Sequence, residues 1–157
     1  MVNLIGTYEC KADAKGRVAL SSALKKQLTP VLQDGFVLKR SVFQPCLELH
    51  PMAQWDILMA KINKLNRFVK KNDDFIRKFT AGVKVVELDG SGRFLVPKEL
   101  QAVAGISKNV VLSTSVGIIE VWDKDKYEKT IADSTEGFSE LAEDVMGNLN
   151  TNEDGIS

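Results

Sequence analysis

The chain has 157 residues, 44% of them hydrophobic and 27% charged, with a mean hydropathy of −0.09. No stretch approaches the roughly 18 consecutive apolar residues of a spanning helix, which argues against a helical membrane protein and for one compact domain or two small halves sharing a core. The 21 basic and 21 acidic residues cancel overall but are segregated: from Glu120 onward eleven are acidic and three basic, net −8, which leaves 18 basic and 10 acidic before it, net +8.

Taken in order, the first ten residues lack a basic leader and a long apolar core, which predicts a cytoplasmic chain. A first unit, 5–50, reads as strand, turn, strand, short helix and two further strands. Its turn is Asp13-Ala-Lys-Gly-Arg17, its helix follows Ser21 as N-cap, and its last strands lie around Gly35-Phe-Val-Leu-Lys39 and Gln44-Pro-Cys-Leu-Glu-Leu49. A helical connector, 51–80, follows. It holds a helix from Pro51 to Leu65, with Met52, Trp55, Leu58, Ile62 and Leu65 at helical spacing, and another from Asp73 to Phe79.

The second unit, 81–122, repeats the order. Val83 to Leu88 alternates, Asp89-Gly-Ser-Gly92 turns, Arg93 to Val96 resumes the strand, Pro97 opens a helix as its first residue and Gly105 stops it. Strands Asn109 to Ser113 and Gly117 to Trp122 close the unit. Helices over Lys124 to Ile131, capped by Asp123, and over Glu136 to Met146 make a C-terminal segment, 123–146. The polar stretch 147–157 is expected to be a disordered tail. The apolar stripes of these helices either cover the β body or neighbouring copies, or bind a partner.

The two units are one sequence used twice. Asp13-Ala-Lys-Gly-Arg17-Val-Ala-Leu-Ser-Ser-Ala-Leu24 aligns with Asp89-Gly-Ser-Gly-Arg93-Phe-Leu-Val-Pro-Lys-Glu-Leu100 at an offset of 76, and Gly6 falls on Gly82 at the same offset. Leu47-Glu-Leu-His50 meets Ile119-Glu-Val-Trp122 at 72. About 40 residues are too few to bury a core alone, so the units should pack as one pseudo-symmetric β body. Gly16 and Gly92 supply the positive φ of a tight turn, and Asp13 and Asp89 can accept bonds from the turn's own amides.

The residues argue for binding and against catalysis. His50 is the only histidine and is equated by the repeat with Trp122, a packing position, so no triad is evident. Gly-x-x-x-x-Gly-Lys-Ser/Thr is absent, and no carboxylates are paired as a metal site would require. Cys10 and Cys46 lack metal or redox spacing; they read as two half-buried thiols, with neither a disulfide nor zinc expected. Neither cofactor nor metal is therefore expected. Arg17 and Arg93 can each act as a rigid fork toward guanine or phosphate, or can merely pin the turn by pairing with Asp13 or Asp89. Lys11, Lys15, Lys25 and Lys26 cluster in sequence around the first turn, which makes that turn the stronger DNA candidate.

The doubled Asp-x-x-Gly-Arg turn ahead of a helix, the closing Ile-Glu-Val-Trp122 strand and the Arg77-Lys-Phe-Thr-Ala-Gly82 segment together resemble the MraZ family, over about Leu4 to Met146. The resemblance implies an α+β fold: two tandem AbrB-like swapped-hairpin units, interlocked, with flanking helices and both turns on one face. It further implies a ring-shaped homo-oligomer, nucleoid-associated, binding double-stranded DNA at repeated promoter boxes upstream of the division and cell-wall gene cluster, as a repressor and not an enzyme. Two features depart from the family pattern: Ser21 stands where proline is usual, and Lys25 and Lys26 stand where an arginine is more usual. The alternatives are a ring-forming scaffold and an antitoxin-like protein-binding module of the same fold.

Overall fold

In the computed structural model, the backbone is described for residues 3–133 and 137–156 and the side chains for 3–133 and 137–149. Two compact units divide the chain, Met1–Lys124 and Asp125–Ser157.

The first unit contains every strand among the described residues. In order it runs β1 (Thr7–Lys11), β2 (Arg17–Ala19), α1 (Ser22–Leu28), a 3-10 turn (Thr29–Asp34), β3 (Phe36–Arg40), β4 (Leu47–Pro51), α2 (Met52–Ile62), α3 (Lys70–Thr80), β5 (Lys84–Val86), β6 (Arg93–Leu95), α4 (Lys98–Ala104), β7 (Asn109–Ser115) and β8 (Ile118–Asp123). Six strands form one antiparallel sheet in the order β1-β7-β8-β4-β3-β5, and β2 pairs with β6 in a separate two-stranded ribbon.

The strands flanking each turn do not continue as a local hairpin. β1 pairs with β7 and β2 with β6, so both find partners in the other copy; between β1 and β2 only the bridge Ala12↔Val18 and the turn's own bonds remain. The physical reason is burial. Each unit's strands have one apolar face, and only exchange with the second copy covers it. A pseudo-twofold axis results. It passes between β4 and β8, where Glu48 faces Glu120, and through the ribbon, where Val18 faces Phe94. Both pairs are repeat-equivalent residues, and Val18 and Phe94 are almost wholly buried.

The core lies between the ribbon with its two short helices and the inner face of the sheet, and includes Leu24, Phe36, Leu38, Leu100, Leu112 and Val121. β3 is covered on its other face as well. Trp55 of α2 stacks on Phe79 of α3 at 6.2 Å, Phe75 adjoins Phe79 at 5.4 Å, and His50 meets Trp55 edge-on at 5.5 Å. The apolar side chains of these two helices therefore cover the β body. Lys39 is buried beneath them, its Nζ 4.2 Å over the Phe79 ring, 3.8 Å from Glu48 Oε1 and donating to the Arg40 carbonyl. Burial pushes its pKa down, with Glu48 partly restoring it.

Several boundaries differ from expectation. Pro97 is the N-cap and not the first helical residue of α4, the same place that Ser21 takes before α1, where its Oγ accepts from the Leu24 amide. Gly105 ends α4 in the left-handed region, at φ 64°. α3 begins at Lys70, three residues early, in keeping with its i,i+4 pairs Lys70–Asp74 and Arg77–Asp73, both 2.7 Å. Cys10 is partly exposed, but Cys46 is fully buried, so the two thiols are not alike; burial pushes them up to about 11 and about 12.

The second unit holds α5 (Lys124–Asp133, its first residue shared) and α6 (Phe138–Ile156). The expected helix start at Glu136 lies outside the described residues. The helix does not stop at Met146: no proline interrupts the polar residues after Gly147, and each added residue gains a backbone bond. Phe138, Leu141, Val145 and Leu149 form a stripe along α6, each about half exposed. No helix among the described residues is long and apolar enough to cross a membrane.

Candidate nucleic-acid interface

Each turn is built around its aspartate. Asp13 Oδ1 accepts from the amides of Lys15 (3.0 Å) and Arg17 (2.9 Å), and Asp89 Oδ1 accepts from Ser91 (2.9 Å) and Arg93 (3.0 Å). The backbone closes identically, with Gly16 donating to Asp13 O and Gly92 to Asp89 O, both at 3.0 Å. Gly16 and Gly92 have φ of 90° and 76°, which a side chain would strain. The second carboxylate oxygen binds the arginine: Arg17 Nε to Asp13 Oδ2 at 2.6 Å, Arg93 Nε to Asp89 Oδ2 at 2.9 Å. These bonds, the Arg17 amide first, hold the Asp13 carboxyl down at about 2; the Arg93 amide likewise lowers Asp89.

The ion pair and an outward-facing arginine coexist. Arg17 and Arg93 remain about one-third exposed, at 35% and 33%. Pairing through Nε leaves the Nη groups of Arg17 without a protein hydrogen bond among the described residues. A guanidinium braced on one edge keeps its planar fork in place, as bidentate recognition requires.

The ribbon brings the two turns together. Val96 N donates to Gly16 O at 2.9 Å and Leu20 N to Gly92 O at 3.1 Å, a symmetric pair of bonds between copies. Arg93 Nη1 reaches Asp13 Oδ2 at 3.8 Å.

The same exchange moves the lysines. α1 follows the first turn in sequence but lies against the second: a Cβ built on Gly92 would sit 3.1 Å from Lys25 Nζ. The residue over Gly16 is Gln101 of α4, whose Nε2 donates to Val96 O (2.7 Å) and Lys15 O (3.5 Å). Grouping Lys25 with the first turn is therefore wrong in space, because β2 carries α1 across to the other copy. Lys11 is exposed at the end of β1, Lys15 at the first turn's tip, and Lys26 beside Lys25 in the last turn of α1. Reasoning from sequence missed Gln101, although the offset of 76 equates it with Lys25. An open cleft of about 500 Å³ beside the first turn adds Lys108 and Ser107 to this surface.

Comparison with known proteins bears on this geometry. The family model described as "MraZ protein, putative antitoxin-like" matches residues 4–78 and again 79–149, one match for each copy of the exchanged unit. The chain belongs to the MraZ family. Relatives named "Transcriptional regulator MraZ" include those of Christiangramia forsetii, 63% identical, and Flavobacterium psychrophilum, 62% identical, each over 100% of both chains. That of Pediococcus pentosaceus is 30% identical over 90% of this chain and 96% of its own. The MraZ matches divide between Lys78 and Phe79, within α3. The fold of this MraZ chain is thus α+β, two tandem AbrB-like units interlocked through exchanged strands.

Proposed function

We propose that this chain is a sequence-specific, double-stranded-DNA-binding transcriptional regulator. It acts as a repressor at repeated promoter boxes upstream of the division and cell-wall gene cluster, its own gene included. The observation that carries the reading is the pair of like turns joined through the β2–β6 ribbon, each presenting an arginine braced by its own aspartate, with Arg93 also within 3.8 Å of Asp13. Charge supports it. The first turn has Lys15 and Arg17 against Asp13, and the second has Arg93 and the imported Lys25 against Asp89, so each carries one surplus positive charge. Lys11 and Lys26 add phosphate contacts around them. The two turns are therefore alike in net charge.

One monomer offers two turns and a few base pairs of contact for each. A homo-oligomeric ring engaging several boxes gains affinity through effective concentration, which is why the boxes are repeated. The protein works in the cytoplasm, associated with the nucleoid, with neither catalysis nor a cofactor or metal in its action.

The test is Arg17→Ala and Arg93→Ala, each measured for melting, assembled mass and affinity for the promoter on one preparation. Loss of a bidentate guanine contact costs about 1–3 kcal/mol per engaged subunit. Both variants should bind the promoter more weakly while folding and assembling; unchanged binding by either would remove that turn from the interface. A second reading, favoured by the "antitoxin-like" description of the family model, is a protein-binding module. A scaffold assembled through the +8 and −8 regions is a third. Salt separates them: DNA binding falls log-linearly with salt and prefers particular fragments, whereas the other two show no fragment preference.

A further inference from the structure

Repeat-equivalent residues meet the two turns with different chemistry. Over Gly16, the Gln101 amide bonds Val96 O and Lys15 O, and packs so closely that a Cβ on Gly16 would lie 2.0 Å from Nε2. Over Gly92, Lys25 presents an ammonium that makes no hydrogen bond or ion pair among the described residues, on a stem that passes 3.5 Å from where a Cβ on Gly92 would lie. A neutral amide is bonded over one turn; an exposed cation accompanies the other.

We propose that the turns divide the work of DNA binding. Gln101, delivered by the second copy's helix, is a positioning residue that holds the first turn for base reading. Lys25, delivered by the first copy's helix, arms the second turn with a phosphate contact. The inference rests on the DNA-binding reading above.

Base discrimination depends on donors held in register, so an amide that fixes the carbonyls at residues 15 and 96 keeps Lys15 and Arg17 aimed while touching no DNA itself. A phosphate contact needs charge more than fixed geometry, and a flexible ammonium supplies it. Neither assignment follows from chain order, because each residue serves the turn of the opposite copy.

The experiment uses full-length Gln101→Ala, Gln101→Lys and Lys25→Gln, with a duplex of the region upstream of the protein's own gene and a scrambled duplex of equal composition. Affinity is followed across a salt series, after melting and assembled mass are measured for each variant. Gln101→Ala should lose about tenfold on the upstream duplex, with scrambled binding and the salt slope unchanged. Gln101→Lys keeps a donor over Gly16, so it should recover the preference and steepen the salt slope. Lys25→Gln should weaken both duplexes alike and flatten the slope by about 0.9 for the lost phosphate contact. An unchanged preference in Gln101→Ala, or a preference lost in Lys25→Gln, overturns the division of labour. If Gln101→Ala does not fold, Gln101→Lys decides: preference retained with a steeper slope supports the proposal, and preference lost overturns it. A wild-type protein that does not distinguish the duplexes overturns the DNA-binding reading itself, and that result is separate from the behaviour of the variants.

Discussion

Asp13 is bonded to two amides and to the guanidinium of Arg17, and its carboxyl ionises at about 2 instead of 3.8. A depressed acid contributes stability that is fully present above its unfolded value and is lost as pH falls toward its folded one. Wild type should therefore exceed Asp13→Asn in melting temperature near neutrality, and the gap should shrink from about pH 5 as pH falls through the folded value and close by about pH 1. A gap undiminished at pH 2 would mean that the charge is not what stabilises the turn. The glycines differ in the same neighbourhood. At Gly16 a Cβ would approach the Val96 carbonyl to 2.8 Å as well as Gln101, whereas at Gly92 the nearest atoms it meets belong to the Lys25 side chain, at 3.1 Å and beyond. Both alanine variants incur the cost of a left-handed residue, roughly 1–2 kcal/mol. Gly16→Ala should be the more destabilising in urea unfolding, because backbone cannot move aside as a lysine can.

The elements that matter most are the shortest. β2 and β6 have three residues each, yet the Val18–Phe94 pair at their centre closes the core beneath both turns. Phe94→Ala should cost about 3–5 kcal/mol by urea unfolding. A loss below about 1 kcal/mol would show that the ribbon is not part of the core. On the far side, β3 and β4 hold an ion pair between a buried Lys39 and a half-buried Glu48, whose halves are not equivalent. Glu48 accepts from His50 at 3.0 Å and faces Lys39; burial pushes its pKa up, but these partners bring it below the ordinary value. Glu48→Ala strands the Lys39 ammonium under Phe79 and should cost about 3–5 kcal/mol, whereas Lys39→Met fills the same space without a charge and should cost far less. Thermal and urea unfolding of the two variants gives the comparison directly.

At the scale of the whole chain, the strand-rich unit Met1–Lys124 carries the turns, and the unit Asp125–Ser157 carries most of the acidic excess. Keeping carboxylates in a separate segment leaves the turn-bearing unit basic, which favours approach to a polyanion. If several copies must act together, light scattering should give a multiple of the monomer mass. A promoter fragment with one box should then bind at least tenfold more weakly than one with several. A monomeric mass together with equal affinity for both fragments would exclude the avidity argument.

Much of this was legible in local chemistry. Asp13, Gly16, Asp89 and Gly92 announce two identical turns because left-handed backbone selects glycine and amide capping selects aspartate. Ser21 and Pro97 mark equivalent helix starts, and the offset of 76 shows that one unit is used twice. Pairing between copies was not readable from either unit alone, since strand exchange depends on which apolar faces lie opposite each other after collapse. That tertiary choice sets Gln101 over the first turn and Lys25 over the second, buries Lys39 below Phe79, and brings Glu48 opposite Glu120. The turns, the repeat and the kind of chemistry they offer are all set by neighbours along the chain. Which helix attends which turn is settled by tertiary packing, because those contacts join residues 85 positions apart (Gly16 and Gln101) and 67 apart (Lys25 and Gly92) and exist only once the two copies have exchanged strands.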